Sequence, residues 1–142
     1  MHILFICTGN TCRSPMAEAL CRDLAKKQHL SITCESAGVF ASSGARPAEN
    51  AIIAMEERGI HLHHHRSQPV TLPLLEKADI ILAMTQNHAD NLSDQYPQFQ
   101  GKTYVFSAPV NDPFGGNLAT YKKSADQIEL LLKEFFIENS FD

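Results

Sequence analysis

Apolar positions along the chain fall into two rhythms, and the two alternate from end to end. The run Ile3-Leu4-Phe5-Ile6 is continuous and short, and a polar, Gly-containing loop follows it. Such a run over His2–Ile6 predicts a strand buried on both faces, as in a parallel sheet. Beyond the loop, Met16, Leu20 and Leu24 recur at helical spacing beside Ala17 and Cys21, with Pro15 in the first turn. This predicts a helix lasting until about His29. A second strand is expected over Ile32–Glu35, ending at Ser36-Ala37-Gly38, and the Ser- and Gly-rich stretch Val39–Arg46 is expected to be an exposed loop. Pro47 opens a further helix, with Ile52 and Met55 inward, that stops at Gly59. Leu72–Lys77 reads as a short helix, Asp79–Met84 as a strand around Ile80-Ile81-Leu82, and Gln86–Gln95 as a polar helix. A fourth strand is expected at Thr103–Phe106. The last helix is expected over Leu118–Glu138, with Tyr121, Ile128, Leu132 and Phe135 on one face.

Strands alternating with helices imply one α/β domain over residues 1–142, a parallel sheet with helices on both faces. The length of 142 residues suits a single core. In such sheets ligands bind beyond the carboxyl ends of the strands, which directs attention to the loop after the first strand.

Composition narrows the function. Lys plus Arg number 12 against 16 Asp plus Glu, a net charge of -4, which argues against a nucleic-acid partner. The N-terminal apolar run is too short for a secretory signal, and no stretch reaches the length of a membrane span, so a cytoplasmic protein without a membrane partner is expected. The four cysteines, Cys7, Cys12, Cys21 and Cys34, include no C-x-x-C pair, and few histidines lie near them in sequence. A structural zinc site is therefore not expected, nor is a cofactor. A reduced setting with one functional thiol fits better.

The segment Cys7-Thr8-Gly9-Asn10-Thr11-Cys12-Arg13-Ser14 lies between a predicted strand and a predicted helix. Its backbone N–H groups can converge on an anion, and the helix N-terminus adds favourable potential. Gly9 permits a tight turn. Cys7, at the strand end, is placed beneath the anion, where the same field favours its thiolate form. Arg13 can return to the rim, where its planar fork holds two phosphoryl oxygens. Ser14 can donate to the Cys7 sulfur, and Asn10 can brace the loop. A buried strand-end thiol beside a solvated arginine is the plain alternative, but Gly9, Asn10, Ser14 and Pro15 together favour an anion loop.

These residues resemble the low-molecular-weight protein tyrosine phosphatase family, whose signature is a C-x-G-N-x-C-R-S loop directly after the first strand. The likeness continues through Pro15-Met16-Ala17-Glu18, Ser36-Ala37-Gly38 and Asp112-Pro113, and so spans essentially the whole chain. It implies a four-stranded parallel sheet, Cys7 as nucleophile, Arg13 as phosphoryl ligand and Asp112 as general acid. Thr8, Gly9, Asn10, Thr11, Cys12 and Ser14 then line the phosphate site, phosphorylated proteins are the substrates, and inorganic phosphate is the product. Spacing alone does not select Asp112 over Asp90 or Asp94, although Asn111–Gly116 has the turn chemistry to project a side chain over a pocket.

Two features bear on the substrate. Thr11 stands where tyrosine-specific members commonly have Ile, and Phe114-Gly115-Gly116 follows Asp112-Pro113 where they usually have an aromatic such as Tyr. Together with Val39-Phe40-Ala41-Ser42, these are similar to the protein-arginine phosphatase branch of the family, and Phe40 becomes a candidate substrate contact. The segment between the Phe106 strand and Asp112 is shorter than in that branch. A tyrosine phosphatase is the nearest alternative. A related arsenate reductase needs further cysteines, and none follows Cys34. A phosphocarrier or a binding-only pseudo-enzyme gives no reason for the full set Cys7, Arg13 and Asp112. Cys12 either packs or forms a reversible disulfide with Cys7, and Cys21 and Cys34 read as core residues. His61, His63, His64 and His65 lie in one irregular segment, read as a solvated loop without an acidic or thiol ligand nearby.

Overall fold

In the computed structural model, which describes residues 1–139, four strands form one all-parallel sheet in the order β2-β1-β3-β4. The strands are β1 (His2–Cys7), β2 (Thr33–Gly38), β3 (Ile80–Ala83) and β4 (Thr103–Val105). The helices are α1 (Arg13–Lys27), α2 (Glu49–Glu56), α3 (Leu72–Lys77), α4 (Gln86–Gln95) and α5 (Leu118–Glu138), with a 3₁₀ turn at Pro97–Lys102 before β4.

The period-2 alternation of a strand divides β1 between two cores. Ile3, Phe5 and Cys7 face the layer of α1, α2 and α5, packing with Met16, Leu20, Ile52, Met55, Ile128 and Leu132. Leu4 and Ile6 face the α3/α4 layer, with Leu75, Ile81 and Leu92. Ile3 to Ile6 are wholly shielded from solvent. Each is worth about 1.5–3 kcal/mol of burial, which is why an uninterrupted apolar run belongs here. The predicted inward faces of α1, α2 and α5 are all buried.

Boundaries differ from the sequence expectation at a few element ends. β2 continues through Ser36-Ala37-Gly38, in register with Phe5, Ile6 and Cys7, because Ser36 is buried with hydrogen-bond partners. α1 ends at Lys27, and His29 takes a positive φ of 57° that closes the turn. α2 starts at Glu49 with Ala48 as its cap, slightly after Pro47.

The chain leaves β1 toward the α1 layer and leaves β3 toward α4 on the opposite face. Divergence of two neighbouring strands opens a crevice beyond their carboxyl ends, and Cys7 is the last residue of β1.

Candidate active site

From Cys7 the chain curls through residues 8–12 into α1, and its carbonyls are held outward. The Cys7 oxygen accepts from the Val39 N–H at 2.9 Å, that of Thr8 from Phe40 at 2.9 Å, and that of Thr11 from Ala48 at 2.9 Å. The Asn10 oxygen accepts from the His65 ring Nε2–H at 3.0 Å. In a planar trans peptide the next N–H points opposite to its carbonyl, so the loop amides face the interior of the curl. None of the amides of Thr8 to Cys12 donates to a protein acceptor among the described residues. The first turn of α1 adds its free donors, since it carries no acidic residue and its cap, Cys12, makes no side-chain capping bond. The result is a cradle of backbone donors at a helix N-terminus, suited to an oxyanion.

Asn10 holds this shape from within. It is fully buried in the left-handed region at φ 57°, a conformation Asn tolerates better than most residues. Its Nδ2 donates to Ser14 Oγ at 2.8 Å and to Ser36 Oγ at 3.0 Å, while its Oδ1 accepts from the Gln68 N–H at 3.0 Å. Ser36 in turn donates to Glu18 Oε1 at 2.6 Å. Since Ser14 Oγ accepts from Asn10, its own hydrogen is free to point at the Cys7 sulfur 2.8 Å away. β2 presses on the loop so closely that a Cβ at Gly38 would lie 2.3 Å from the Thr8 oxygen, hence glycine at that position.

Arg13 is buried, and its fork is held by protein groups. Nη1 donates to the Val110 oxygen at 3.1 Å and Nη2 to Thr8 Oγ1 at 3.4 Å. Thr8 Oγ1 also lies 2.9 Å from His88 Nε2, and His88 Nδ1 lies 2.8 Å from Thr85 Oγ1, the cap of α4. Burial, and then the nearby Arg13 charge, push the His88 ring down to about 4. A neutral ring with its proton on Nδ1 donates to Thr85 and accepts from Thr8, leaving a Thr8 lone pair for Arg13. The sequence reading passed over His88. The available signal was a capping Thr85 followed three residues later by a ring on an otherwise polar helix.

A pH effect follows. Between the ordinary value of 6.5 and about 4, the unfolded chain binds a proton at His88 that the folded protein excludes. Stability therefore falls as pH drops through that window, by about 3 kcal/mol at its lower end. His88→Asn is expected to flatten this part of the profile in urea unfolding at about pH 7 and about pH 4.5. An unaltered pH dependence in the variant would locate the effect elsewhere.

Asp112 reaches the site from the segment before α5. Val110 anchors that segment, its N–H bonded to the Met84 oxygen at 3.1 Å just beyond β3 while its own oxygen holds Arg13. Asp112 Oδ1 accepts from the Phe114 N–H at 3.1 Å, and Oδ2 comes within 3.6 Å of Arg13 Nη2. A cavity of about 240 Å³ is enclosed by Cys7 to Arg13 together with Asp112 and Phe114. Cys7 to Arg13 thus meet Asp112 around one space, whereas Asp90 and Asp94 lie on α4 and do not line it. Ser14, expected on the same lining, is instead fully buried behind it, where it reaches the site only through the Cys7 sulfur and Asn10. Thr11 is on the cavity wall, its hydroxyl hydrogen-bonded among the described residues to Cys12 Sγ alone, at 3.8 Å. Phe40, 75% exposed, lines an adjoining cleft of about 520 Å³ shared with Thr8, Arg13 and His88. Cys12 is a free thiol held 3.4 Å from the Tyr121 hydroxyl, and burial pushes it up. Cys21 and Cys34 are buried free thiols 3.2 Å apart, as core residues should be.

The family model of low molecular weight phosphotyrosine protein phosphatases matches residues 2–140. The chain belongs to this family. Among its curated relatives, the protein-arginine-phosphatase of Bacillus subtilis (strain 168) is 41% identical over 141 residues, covering 94% of this chain and 93% of the relative. The low molecular weight protein-tyrosine-phosphatase Ptp of Acinetobacter johnsonii is 38% identical, covering 93% and 90%. Of the solved structures, the YwlE arginine phosphatase C7S mutant with a phosphorylated active site serine superposes with a TM-score of 0.95 at 39% identity, covering all of this chain and 97% of that one. The low molecular weight phosphatase fold inferred from the loop signature is therefore the fold of this chain. Among its described residues, no helix is long and apolar enough to cross a membrane.

Proposed function

We propose that this protein is a cytoplasmic phosphatase that removes phosphate from phosphoarginine in proteins through a cysteinyl-phosphate at Cys7. The observation that carries the reading is the Cys7 sulfur, hydrogen-bonded by Ser14 at the floor of a cradle of unpaired amides and facing Asp112 across one cavity. The relatives named protein-arginine-phosphatase support the choice of substrate, and the solved C7S relative with a phosphorylated active site serine supports a covalent phosphoryl intermediate at Cys7.

In the first step the Cys7 thiolate attacks phosphorus, forming the S–P bond as the P–N bond to the arginine side chain breaks. Asp112 gives its proton to the departing nitrogen. In the second step water attacks the phosphocysteine, Asp112 takes the water's proton, and inorganic phosphate leaves with the thiolate restored. The amides of residues 8–13 and the Arg13 guanidinium hold the equatorial oxygens throughout, where charge shifts during transfer. Ser14 steadies the thiolate as a leaving group. No metal or cofactor takes part in this scheme.

Asp112→Asn is expected to slow phosphoarginine and alkyl phosphates by roughly 10²–10⁴-fold and activated aryl phosphates least, because good leaving groups need little protonation. A uniform loss across a leaving-group series would assign Asp112 a structural role.

The substrate preference rests on Thr11. Its hydroxyl on the cavity wall lacks a strong partner, so a polar guanidinium suits it and an apolar ring leaves it unsatisfied, at a cost of about 1–3 kcal/mol. Thr11→Ile should lower the ratio of phosphoarginine to phosphotyrosine efficiency by roughly ten- to a hundredfold, measured on matched peptides. If the unmutated protein already prefers phosphotyrosine, it is a tyrosine phosphatase with the same cysteine chemistry.

A further inference from the structure

The histidine segment after α2 is solvent-facing, as expected from its sequence, but it does have an acidic ligand nearby, because the fold returns it to the Glu56 carboxylate. α2 ends at Glu56, and Gly59, at φ 75°, reverses the chain, with the Gly59 N–H on the Glu56 oxygen at 2.9 Å and the Ile60 N–H on the Met55 oxygen at 3.0 Å. Leu62 then plunges into the core, 4% exposed. Its neighbours are thereby left on the outer side, His61 exposed and His63 partly so. One carboxylate oxygen of Glu56 and one ring nitrogen from each of His61 and His63 lie within 4.8 Å of one another.

We propose that Glu56, His61 and His63 form a binding site for a divalent transition-metal ion of the zinc class. Three points whose separations do not exceed 4.8 Å share a position within about 2.8 Å of all three (4.8 Å divided by √3). Solvent-facing side chains need move by less than about 1 Å to reach the 2.0–2.2 Å bonds of zinc to imidazole and carboxylate. The donors are available, since none of the three side chains makes a hydrogen bond or ion pair among the described residues. This contrasts with the adjacent Glu57 and Arg58, which are paired with Lys122 and with Asp126 and Glu129. The His64 ring, with its centroid 4.0 Å from that of His63, restricts the ring that must ligate. Two imidazoles and one carboxylate favour zinc, nickel or copper over calcium or magnesium, which take oxygen ligands. Three protein donors leave a fourth position for water.

The site is separate from the cavity above Cys7, and the test must keep the two apart, because a thiolate also binds zinc. Tag-free Cys7→Ser protein should bind one equivalent of Zn²⁺ in competition with a chromophoric chelator, and Zn²⁺ should raise its Tm as mass action requires. In that background, Glu56→Gln should weaken binding at least tenfold, and the double change His61→Ala with His63→Ala at least a hundredfold. These residues are at the surface, so the variants should keep the wild-type Tm without metal. Absence of binding at about 100 μM Zn²⁺, or affinity untouched by the double change, would overturn the proposal. Failure of the phosphatase reading would leave this result unaffected, since no step of the assay uses turnover.

Discussion

Cys7→Ser is expected to lower turnover by roughly 10⁴-fold or more, the scale seen when a covalent nucleophile is removed. A hydroxyl is a far weaker nucleophile than a thiolate in this setting. The change leaves the amides of residues 8–12 and the Arg13 fork in place, so phosphate or vanadate should bind with little loss. The two readouts together separate a lost nucleophile from a collapsed loop. Turnover within tenfold of wild type would end the cysteinyl-phosphate scheme, and loss of both activity and oxyanion binding would mean that the substitution had disturbed the cradle. Acid quench of the wild-type reaction should trap phosphate on Cys7.

Arg13→Lys is expected to cost roughly 10²–10³-fold in kcat/KM, the scale of losing one preorganised donor to the reacting oxygens. The charge is retained, but three separate contacts depend on the planar fork: the Val110 oxygen, Thr8 Oγ1 and the approach to Asp112. An ammonium satisfies at most part of that set and cannot hold two phosphoryl oxygens side by side. The loss should appear in kcat as well as in KM, because the fork serves the transition state and not only the bound substrate. A Lys variant with near wild-type efficiency would reduce Arg13 to a general source of positive potential.

Much of this architecture is legible in the chain because the decisive signals are local. The run Ile3–Ile6, the signature loop and the spacing of Met16, Leu20 and Leu24 each fix an element without reference to distant residues. What escaped depends on contacts between remote segments. Ser36 looked like a strand end because its burial is made tolerable by Asn10 and Glu18, neither of them near it in sequence. His88 looked like a surface residue of a polar helix, and only packing against Thr8, 80 positions earlier, gives it a place beside Arg13. Phe40 was linked to the substrate by resemblance, and it lies on the adjoining cleft and not on the cavity around Cys7. The acid illustrates the other limit. Asp112 could be chosen from the family motif but not from spacing, since what brings it to Arg13 is Val110 fastened to the end of β3.

Apart from the Asn10 oxygen, which the His65 ring holds, the outward carbonyls of the loop are gripped by the main-chain amides of Val39, Phe40 and Ala48 and not by side chains. An amide is present in every residue except proline, so mutation at these positions can change the side chain while the grip persists, most freely at the exposed Phe40. Pro47 sits beside such an anchor where no N–H is called upon. Two of the three positions, Val39 and Phe40, also line the cleft beside the phosphate site. The segment can therefore diverge to suit new substrates while the catalytic loop it supports stays fixed, a separation that allows specificity to evolve without passing through inactive intermediates.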